Sequence, residues 1–250
     1  MPLNHRPGYI QLLLRGLLAG LAAGLLAGGF AYLVGEPHIN AAIAIEEAAA
    51  PAGETTDDPL VDRDVQSTAG LLLATALMGV AFGGILATAY TVLRRHLRTG
   101  SDTQAAFGLA GAALTGIVLV PFLKYPPNPP AVGNPDTIDQ RTYAWLAVVV
   151  LGLVAVWAGV LAARTQSHQW RRAAAGTAAF LIVVTIAYTL LPTFREVPAD
   201  FPATLLWDFR ISSLGTQTVL WTALGLTFAG LLSRLTTGHR QTATEPVTTA

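Results

Sequence analysis

The residues best suited to chemistry lie in the stretch "GEPHINAAIAIEEAAAP", which contains Glu36, His38, Glu46 and Glu47. Imidazole nitrogens and carboxylate oxygens together suit divalent first-row transition-metal ions. The stretch therefore predicts a metal site if these side chains meet. The competing interpretation is a short amphipathic helix, with Pro37 in its first turn, that lies solvated on a membrane surface.

An acidic segment rich in Gly, Pro and Thr follows and contains Asp57, Asp58, Asp62 and Asp64. Its composition predicts a flexible stretch whose negative field would concentrate cations weakly. The alternative is that these carboxylates serve only solvation and membrane topology.

A proline-rich stretch, "VPFLKYPPNPPAVG" at 120–133, ends a long uncharged run. Lys124 and Tyr125 are predicted at the depth of the lipid headgroups, where lysine snorkels and tyrosine anchors. The prolines remove backbone donors and favour an extended path. Carbonyls along that path, together with Asn128, are predicted either to line an ion entrance or to belong to a stiff connector. These prolines are Pro126, Pro127, Pro129 and Pro130.

Asp136, Asp139 and Arg141 follow the prolines. They predict an ion pair that closes the loop. In a second interpretation, the two carboxylates hold a metal against a phosphate, as in an enzyme acting on a lipid-linked substrate.

The segment 201–211, "FPATLLWDFRI", alternates apolar and polar residues at helical spacing. It predicts an interfacial or re-entrant helix in which Asp208 and Arg210 are counter-ions. Aromatic anchoring by Trp207 is the alternative.

Several classes of site are excluded. The chain has no cysteine, so disulfides, thiolate metal sites and cysteine nucleophiles are ruled out. Its single lysine, Lys124, is followed by tyrosine, which excludes the nucleotide-binding G-x-x-x-x-G-K-[ST] loop. Of the five histidines, only His38 is predicted on the outer side of the membrane, and none is predicted within it. A haem bound by two histidines from the spans would therefore lack its ligands. No permanently bound cofactor and no nucleic-acid partner are predicted.

The elements that position these residues are predicted to be membrane helices. The chain of 250 residues is 52% hydrophobic and only 12% charged, with a mean hydropathy of +0.51. A soluble domain carries about 25% charged residues. A crossing helix needs about 20 apolar residues. We therefore predict an all-α integral membrane protein, a single domain over 1–250 with a disordered tail at 240–250. Its six spans are predicted at about 12–34, 69–93, 105–123, 143–163, 173–191 and 214–235.

Charge sorts the connections between the spans into two sides. One side carries ten cations against Asp102 and Glu245, a net +8; the other carries five cations against thirteen carboxylates, a net −8. Basic loops stay in the cytoplasm. We therefore predict a multi-pass protein of the cell membrane, with both termini cytoplasmic and three acidic loops outside. The first span is predicted to be retained, because its apolar run exceeds that of a signal peptide. The alternative is a cleaved signal peptide, which would leave five spans and place the N-terminus outside.

Small residues recur at i, i+4 spacing within the spans. Gly16, Gly20, Gly24 and Gly28 line one face of the first span. Gly79 and Gly83 do so in the second, and Gly108, Ala112 and Gly116 in the third. Bare backbone lets neighbouring helices approach closely. These seams predict ordinary packing or, alternatively, a sliding or partner-binding face.

Three stretches, "VPFLKYPPNPPAVG", "DTIDQRTYAW" and "FPATLLWDFRISSLGTQ", resemble the CbtA family of predicted cobalt transporter subunits, and "EPHINAAIAIEE" is similar to that family's first outer loop. The resemblance covers most of the chain. It implies a membrane protein of cobalt(II) uptake, linked to cobalamin regulation, that works beside a small one-span subunit with a histidine-bearing tail. The positions that match the family's motifs are Glu36, Glu46, Glu47, Pro121, Lys124, Tyr125, Pro126, Pro127, Asn128, Pro129, Pro130, Gly133, Arg141, Phe201, Pro202, Trp207, Arg210 and Gln217.

This chain departs from the family in three respects. His38 is not implied by the resemblance, so a histidine ligand there is this chain's own possibility. Asp208 stands where the family suggests a basic or neutral residue. The family is described with five spans, whereas this sequence predicts six.

The sequence thus favours a protein of cobalt uptake that is not an enzyme. Glu36, His38, Glu46, Glu47 and Asn128 are its candidate metal ligands. The candidate structural or gating residues are Lys124, Tyr125, Pro126, Pro127, Trp207 and Arg210. Its expected partners are the lipid bilayer, further copies of the chain and the small one-span subunit. The alternatives are a scaffold without its own transport activity and the membrane enzyme considered above.

Overall fold

The computed structural model describes residues 8–49, 61–97 and 99–242, with the backbone alone for 235–242. Of these residues 83% are helical, and none lies in a strand. The helices are α1 Tyr9–Phe30, α2 Glu36–Ala49, α3 Arg63–Val65, α4 Leu71–Leu93, α5 Asp102–Ala113, α6 Val120–Lys124, α7 Ile138–Arg164, α8 Gln169–Leu190 and α9 Ala203–Thr242. The π-helical turns Ala31–Gly35, Gln66–Gly70 and Leu114–Leu119 join α1 to α2, α3 to α4 and α5 to α6, and the 3-10 turn Pro135–Thr137 precedes α7.

The described residues contain five helical segments that are long and apolar enough to cross a bilayer. The sixth predicted span, about 214–235, lies inside the 40-residue helix α9. The predicted all-α membrane architecture is therefore confirmed, with five to six crossing helices. The five segments are Tyr9–Ala49, Arg63–Leu93, Asp102–Lys124, Pro135–Arg164 and Gln169–Leu190.

The chain divides into two compact units. Unit 1 consists of Met1–Gly29, Val65–Gly111 and Val219–Ala250, and unit 2 consists of Phe30–Asp64 and Ala112–Thr218. A single membrane domain over the whole chain stays a prediction. So does the disordered tail, of which residues 243–250 lie outside the described part of the chain.

Unit 1 is built on the glycine seam between α1 and α4. A Cβ atom added to Gly16 or Gly20 would overlap the carbonyl oxygen of Gly83 or Gly79, respectively. The two helices therefore touch backbone to backbone, which only glycine permits at these positions. The seam predicted in the first two spans is confirmed, and its two sides pack against each other within one chain.

Aromatic pairs join α4 to α9 within unit 1. The rings of Phe82 and Trp221 stack with centroids 5.1 Å apart. Tyr90 meets Phe228 edge to face at 5.6 Å. Arg15 of α1 donates to the backbone carbonyl of Leu231 in α9. This guanidinium is half-buried.

Glycines also set the packing of unit 2. A Cβ added to Gly159 of α7 would lie 3.0 Å from the carbonyl oxygen of Gly176 in α8. A Cβ added to Gly116 would lie 3.2 Å from the carbonyl oxygen of Gly152 in α7. The seam predicted for the third span is therefore only partly formed. Its first member, Gly108, has open space where a side chain would stand.

Two segments predicted as separate surface helices belong to longer helices. The segment 36–47 lies in α2, which follows directly from the π-helical turn Ala31–Gly35. The segment 203–211 forms the first turns of α9 and is not a separate helix, while its interfacial position stays a prediction. A short surface helix and the end of a span show the same helical spacing of apolar residues, so this spacing cannot distinguish them.

Candidate functional site

The candidate site lies in unit 2, where the segments between the spans carry most of its charge. Four basic side chains there each reach two oxygen atoms supplied by other parts of the chain. They are Arg63, Lys124, Arg141 and Arg210. Their partners show which predicted ligand atoms are already occupied.

Arg63 pairs with the start of α2. Its Nη2 atom donates to the Glu36 carboxylate and, at 3.0 Å, to Oδ1 of Asn40. Glu36 and Asn40 are four residues apart, so they share one face of the helix. Glu36 is buried, at 7% exposure. A buried carboxylate needs a counter-charge, and Arg63 supplies it across the first loop.

Lys124 caps the end of α8. Its Nζ atom donates to the backbone carbonyl of Tyr188 at 2.9 Å and lies 3.4 Å from Oγ1 of Thr193. In a continuing helix the Tyr188 carbonyl would accept from residue 192, but Pro192 has no N–H group. The positive charge also suits the negative end of the helix dipole. Lys124 therefore binds a carbonyl that proline leaves free, and its position at headgroup depth stays a prediction.

Tyr125 reinforces the same contact. Its hydroxyl donates to the carbonyl of Pro192 at 2.6 Å, and its ring lies 5.7 Å from that of Phe194. Burial raises the pKa of the Tyr125 hydroxyl. Lys124 and Tyr125 together therefore fix the segment that follows α8 to the end of α6.

The proline-rich segment is held by Arg210 of α9. Its Nε atom donates to the carbonyl of Pro127 at 3.3 Å, and Nη2 donates to Oδ1 of Asn128 at 2.9 Å. The carbonyl of Pro129 accepts from the N–H of Val132. An extended proline path predicts carbonyls that cannot pair locally and stay free as acceptors, and this is wrong at two positions. The Pro127 carbonyl is bound by a basic residue distant in sequence, and the Pro129 carbonyl is bound locally by Val132.

Arg210 was also expected to pair with Asp208. The two are separated by two helical positions, which places their side chains on different faces. Asp208 and Trp207 are exposed, Trp207 to 63%. Trp207 is thus available as the predicted aromatic anchor, while Arg210 turns inward to Asn128.

Glu196 is the centre of a network that sequence inspection missed. Its carboxylate accepts from Oγ1 of Thr137 at 2.6 Å and from the N–H of Asn134 at 2.9 Å, and lies 3.4 Å from Nη1 of Arg141. These hydrogen bonds, first that of Thr137 and then that of Asn134, lower the pKa of Glu196, as does the charge of Arg141. The loop after α6 and the segment after α8 are thereby joined.

Arg141 was expected to pair with Asp136 or Asp139. It pairs instead with Glu196 and with the carbonyl of Asn134, 3.1 Å from Nη2. Asp139 lies two residues before Arg141 on α7, on another face of the helix.

Gly133 is required where this network turns. Its φ of +136° is disfavoured for other residues, and an added Cβ would lie 2.7 Å from Nη1 of Arg141.

The predicted metal ligands are not gathered into one set. Glu36 and Glu46 are ten residues apart on α2, a rise of about 15 Å. Glu46 and Glu47 are exposed, and His38 is half-buried on a different face from Glu36. Oδ1 of Asn128 is occupied by Arg210. Within the described residues no three His, Asp or Glu side chains meet as a metal site. Metal binding by these residues therefore stays a prediction.

The acidic residues of unit 2 and its four bridging cations differ in accessibility. The four bridging cations are half-buried, whereas most of the described carboxylates point to the surface. The exposed carboxylates are Glu46, Glu47, Asp62, Asp64, Asp136, Asp139, Asp200 and Asp208. Asp57 and Asp58 of the predicted acidic segment lie outside the described residues. The exposed cations described in this unit are Arg164, Arg171, Arg172 and Arg195, so eight exposed carboxylates face four exposed arginines and the balance of exposed charge is negative.

Comparison with known proteins identifies the family. The family model described as "Probable cobalt transporter subunit (CbtA)" matches residues 9–233, nearly the whole chain. No curated protein and no solved structure gives a significant match. The word "subunit" in that description implies partners in a complex, and a role in transport suggests a protein that is not an enzyme. Together with its apolar helices, the match shows that this multi-pass membrane protein belongs to the CbtA family of probable cobalt transporter subunits.

Proposed function

We propose that the protein is the membrane subunit of a cobalt(II) uptake system, and that it gathers the ion on an acidic outer face and passes it inward through its helices. The observation that carries this proposal is the family match over residues 9–233. The placement of charge supports it. Away from the connection that carries Arg164, Arg171 and Arg172, exposed carboxylates and half-buried, oxygen-bound cations make the accessible surface of unit 2 mostly negative, and such a surface raises the local concentration of a divalent cation.

The orientation follows from the distribution of arginine. The connections that carry Arg94, Arg95, Arg164, Arg171 and Arg172 face the cytoplasm in this proposal, because positive loops are retained there. The segments of unit 2 that carry the carboxylates then face outward. Both termini are cytoplasmic, and the protein resides in the cell membrane.

The carboxylates act at two stages in this scheme. Glu46 and Glu47, exposed at the end of α2, gather the ion from solution. Glu36 and Asn128, now held by arginines, supply oxygen ligands deeper in the unit. Co²⁺ accepts oxygen and nitrogen ligands, and water completes its shell.

The partner proposed for this chain is a small one-span protein with a histidine-bearing tail. Imidazole is a good ligand for Co²⁺, and such a tail would supply the nitrogen ligands in which this chain is poor. Further copies of the chain are a second possible partner. Cobalt(II) is the cargo, and no resident cofactor is proposed.

The alternative functions lose their supporting observations. Of the glycine seams that suggested a scaffold, those of the first two spans pack against each other within the chain at Gly20 and Gly79. Arg141, which the enzyme hypothesis places beside a phosphate, is engaged by Glu196. Transport is therefore the function that the site supports best.

Radioactive cobalt uptake in cells with and without this gene tests the proposal. The small partner is expressed in both strains, and uptake is measured at matched membrane levels of the protein. We expect faster ⁵⁷Co²⁺ accumulation in cells that carry the gene, reduced by unlabelled Co²⁺. Equal uptake in the two strains would reject a transport role.

A further inference from the structure

Two oxygens on one face of α2 converge on a single nitrogen. Nη2 of Arg63 donates both to the Glu36 carboxylate and to Oδ1 of Asn40, the latter at 3.0 Å. The i, i+4 spacing of Glu36 and Asn40 aims both side chains at one point beside the helix. A carboxylate oxygen and an amide oxygen directed at one positive centre also form a pair of ligands for a hard or borderline metal cation.

Arg63 satisfies this position incompletely. An arginine that serves a purely structural role usually binds a carboxylate through two parallel N–H groups. Here one nitrogen serves both acceptors, and Nε of Arg63 is buried without a hydrogen-bond partner. A buried donor left unpaired is destabilising, because it has lost its hydrogen bonds to water. This incomplete pairing makes the guanidinium easier to displace than a bidentate ion pair would be.

Both partners adjoin irregular helical turns. Glu36 directly follows the π-helical turn Ala31–Gly35, and Arg63 begins the three-residue helix α3, which the π-helical turn Gln66–Gly70 follows. Such turns interrupt the regular hydrogen-bond ladder and are frequent at functional sites.

We propose that Glu36 and Asn40 form a binding site for a divalent transition-metal cation, and that Arg63 occupies this site as a tethered cation until the metal displaces it. The inference rests on the proposed function for the identity of the cation. Metal and guanidinium exclude each other, because two positive charges compete for the same oxygens. A site with one carboxylate, one amide oxygen and water binds weakly, which suits an ion that must be released inward.

Cobalt binding to purified full-length protein in detergent tests the competition. The variants are Arg63→Gln, Glu36→Gln with Arg63→Gln, and Arg195→Gln as the matched control. Arg195 is an exposed cation on another segment of unit 2, so its loss changes the net charge equally. Equilibrium dialysis with ⁵⁷Co²⁺ measures the dissociation constant for each variant.

We expect Arg63→Gln to bind Co²⁺ about tenfold more tightly than the wild type, since a competing charge at contact distance is removed. Arg195→Gln should change the affinity by less than about twofold. The gain should vanish in the variant that also carries Glu36→Gln. Equal affinities for Arg63→Gln and Arg195→Gln, or a gain that survives Glu36→Gln, would overturn the proposal.

A second measurement uses the wild-type chain and does not depend on how the variants fold. Displacement of Arg63 should release the segment that carries it, so saturating Co²⁺ should speed amide hydrogen exchange at 61–70. Unchanged or slower exchange there would contradict displacement. Failure of the proposed function would give a different result. Cells would then show no cobalt uptake, even if Co²⁺ displaces the Arg63 side chain in the purified protein.

Discussion

The Nζ atom of Lys124 lies 2.9 Å from the backbone carbonyl oxygen of Tyr188, at the point where Pro192 deprives that carbonyl of its helical donor. The only lysine of the chain therefore caps α8 and joins it to α6. Pro192 leaves the carbonyl free, and Lys124, far away in sequence, binds it. Loss of the lysine charge should therefore weaken the attachment of α8 to α6.

Lys124→Met should lower the thermal unfolding temperature of the detergent-solubilised protein. The change keeps the long apolar stem and removes a charge-assisted hydrogen bond, so we expect a loss of about 1–3 kcal/mol. Arg195→Met is the control, because Arg195 is exposed and its removal should cost less than about 0.5 kcal/mol. Equal unfolding temperatures for the two variants would show that Lys124 is no cap.

Glu196 should make stability depend on pH. Hydrogen bonds from Thr137 and Asn134 lower its folded-state pKa below the unfolded value of about 4.5. A group of this kind stabilises the fold fully above the unfolded pKa, and its contribution is lost as pH falls through the lowered folded pKa. We therefore expect the wild type to lose stability on acidification below about pH 4.5 more steeply than Glu196→Gln does.

Unfolding temperatures measured between pH 3 and pH 7 test this difference. Asp200→Asn serves as the control, since Asp200 is an exposed carboxylate in the same segment and should leave the pH dependence unchanged. If Glu196→Gln retains the steep acid loss of the wild type, the carboxylate is not the group responsible.

Gly20→Ala should weaken unit 1. The added methyl group would overlap the carbonyl oxygen of Gly79 and force α1 away from α4, at a cost of about 1–3 kcal/mol. Gly29→Ala on the same helix meets nothing within 4 Å, so it should be neutral or slightly stabilising. Thermal unfolding of both variants gives the comparison, and similar values would mean that the seam is not tightly packed.

Replacing Glu46 and Glu47 together by alanine should reduce cobalt uptake without lowering the amount of protein in the membrane. Both side chains are exposed, so their removal should leave packing intact while weakening the negative field. The control pair is Asp136→Ala with Asp139→Ala, which removes equal charge elsewhere in unit 2. Normal uptake by the Glu46/Glu47 variant would assign those carboxylates to solvation alone.

The architecture could be predicted because membrane helices leave strong local signals. Apolar length located the spans, and glycines at i, i+4 located the α1–α4 seam before any partner helix was known. Partners of side chains were not predictable in this way. Arg141 lies two residues from Asp139 in sequence, yet it pairs with Glu196. Helical geometry places Asp139 on another face of α7, and the fold brings the segment after α8 next to Arg141.

The same limit applied to the predicted metal ligands. Glu36, His38, Glu46 and Glu47 are close in sequence, but a helix spreads them over about 15 Å and more than one face. The oxygen that accompanies Glu36 belongs to Asn40, which sequence inspection did not select. Only the position of Arg63 reveals that pair.

The proposed route of the ion depends on the acidic segments facing outward, and thiol labelling tests this most directly. The chain has no cysteine, so Asp62→Cys and Arg95→Cys each give a single label site, both at exposed positions. We predict that a membrane-impermeant maleimide labels Asp62→Cys in intact cells and Arg95→Cys only after lysis. Labelling of Arg95→Cys in intact cells, with Asp62→Cys protected until lysis, would contradict the account.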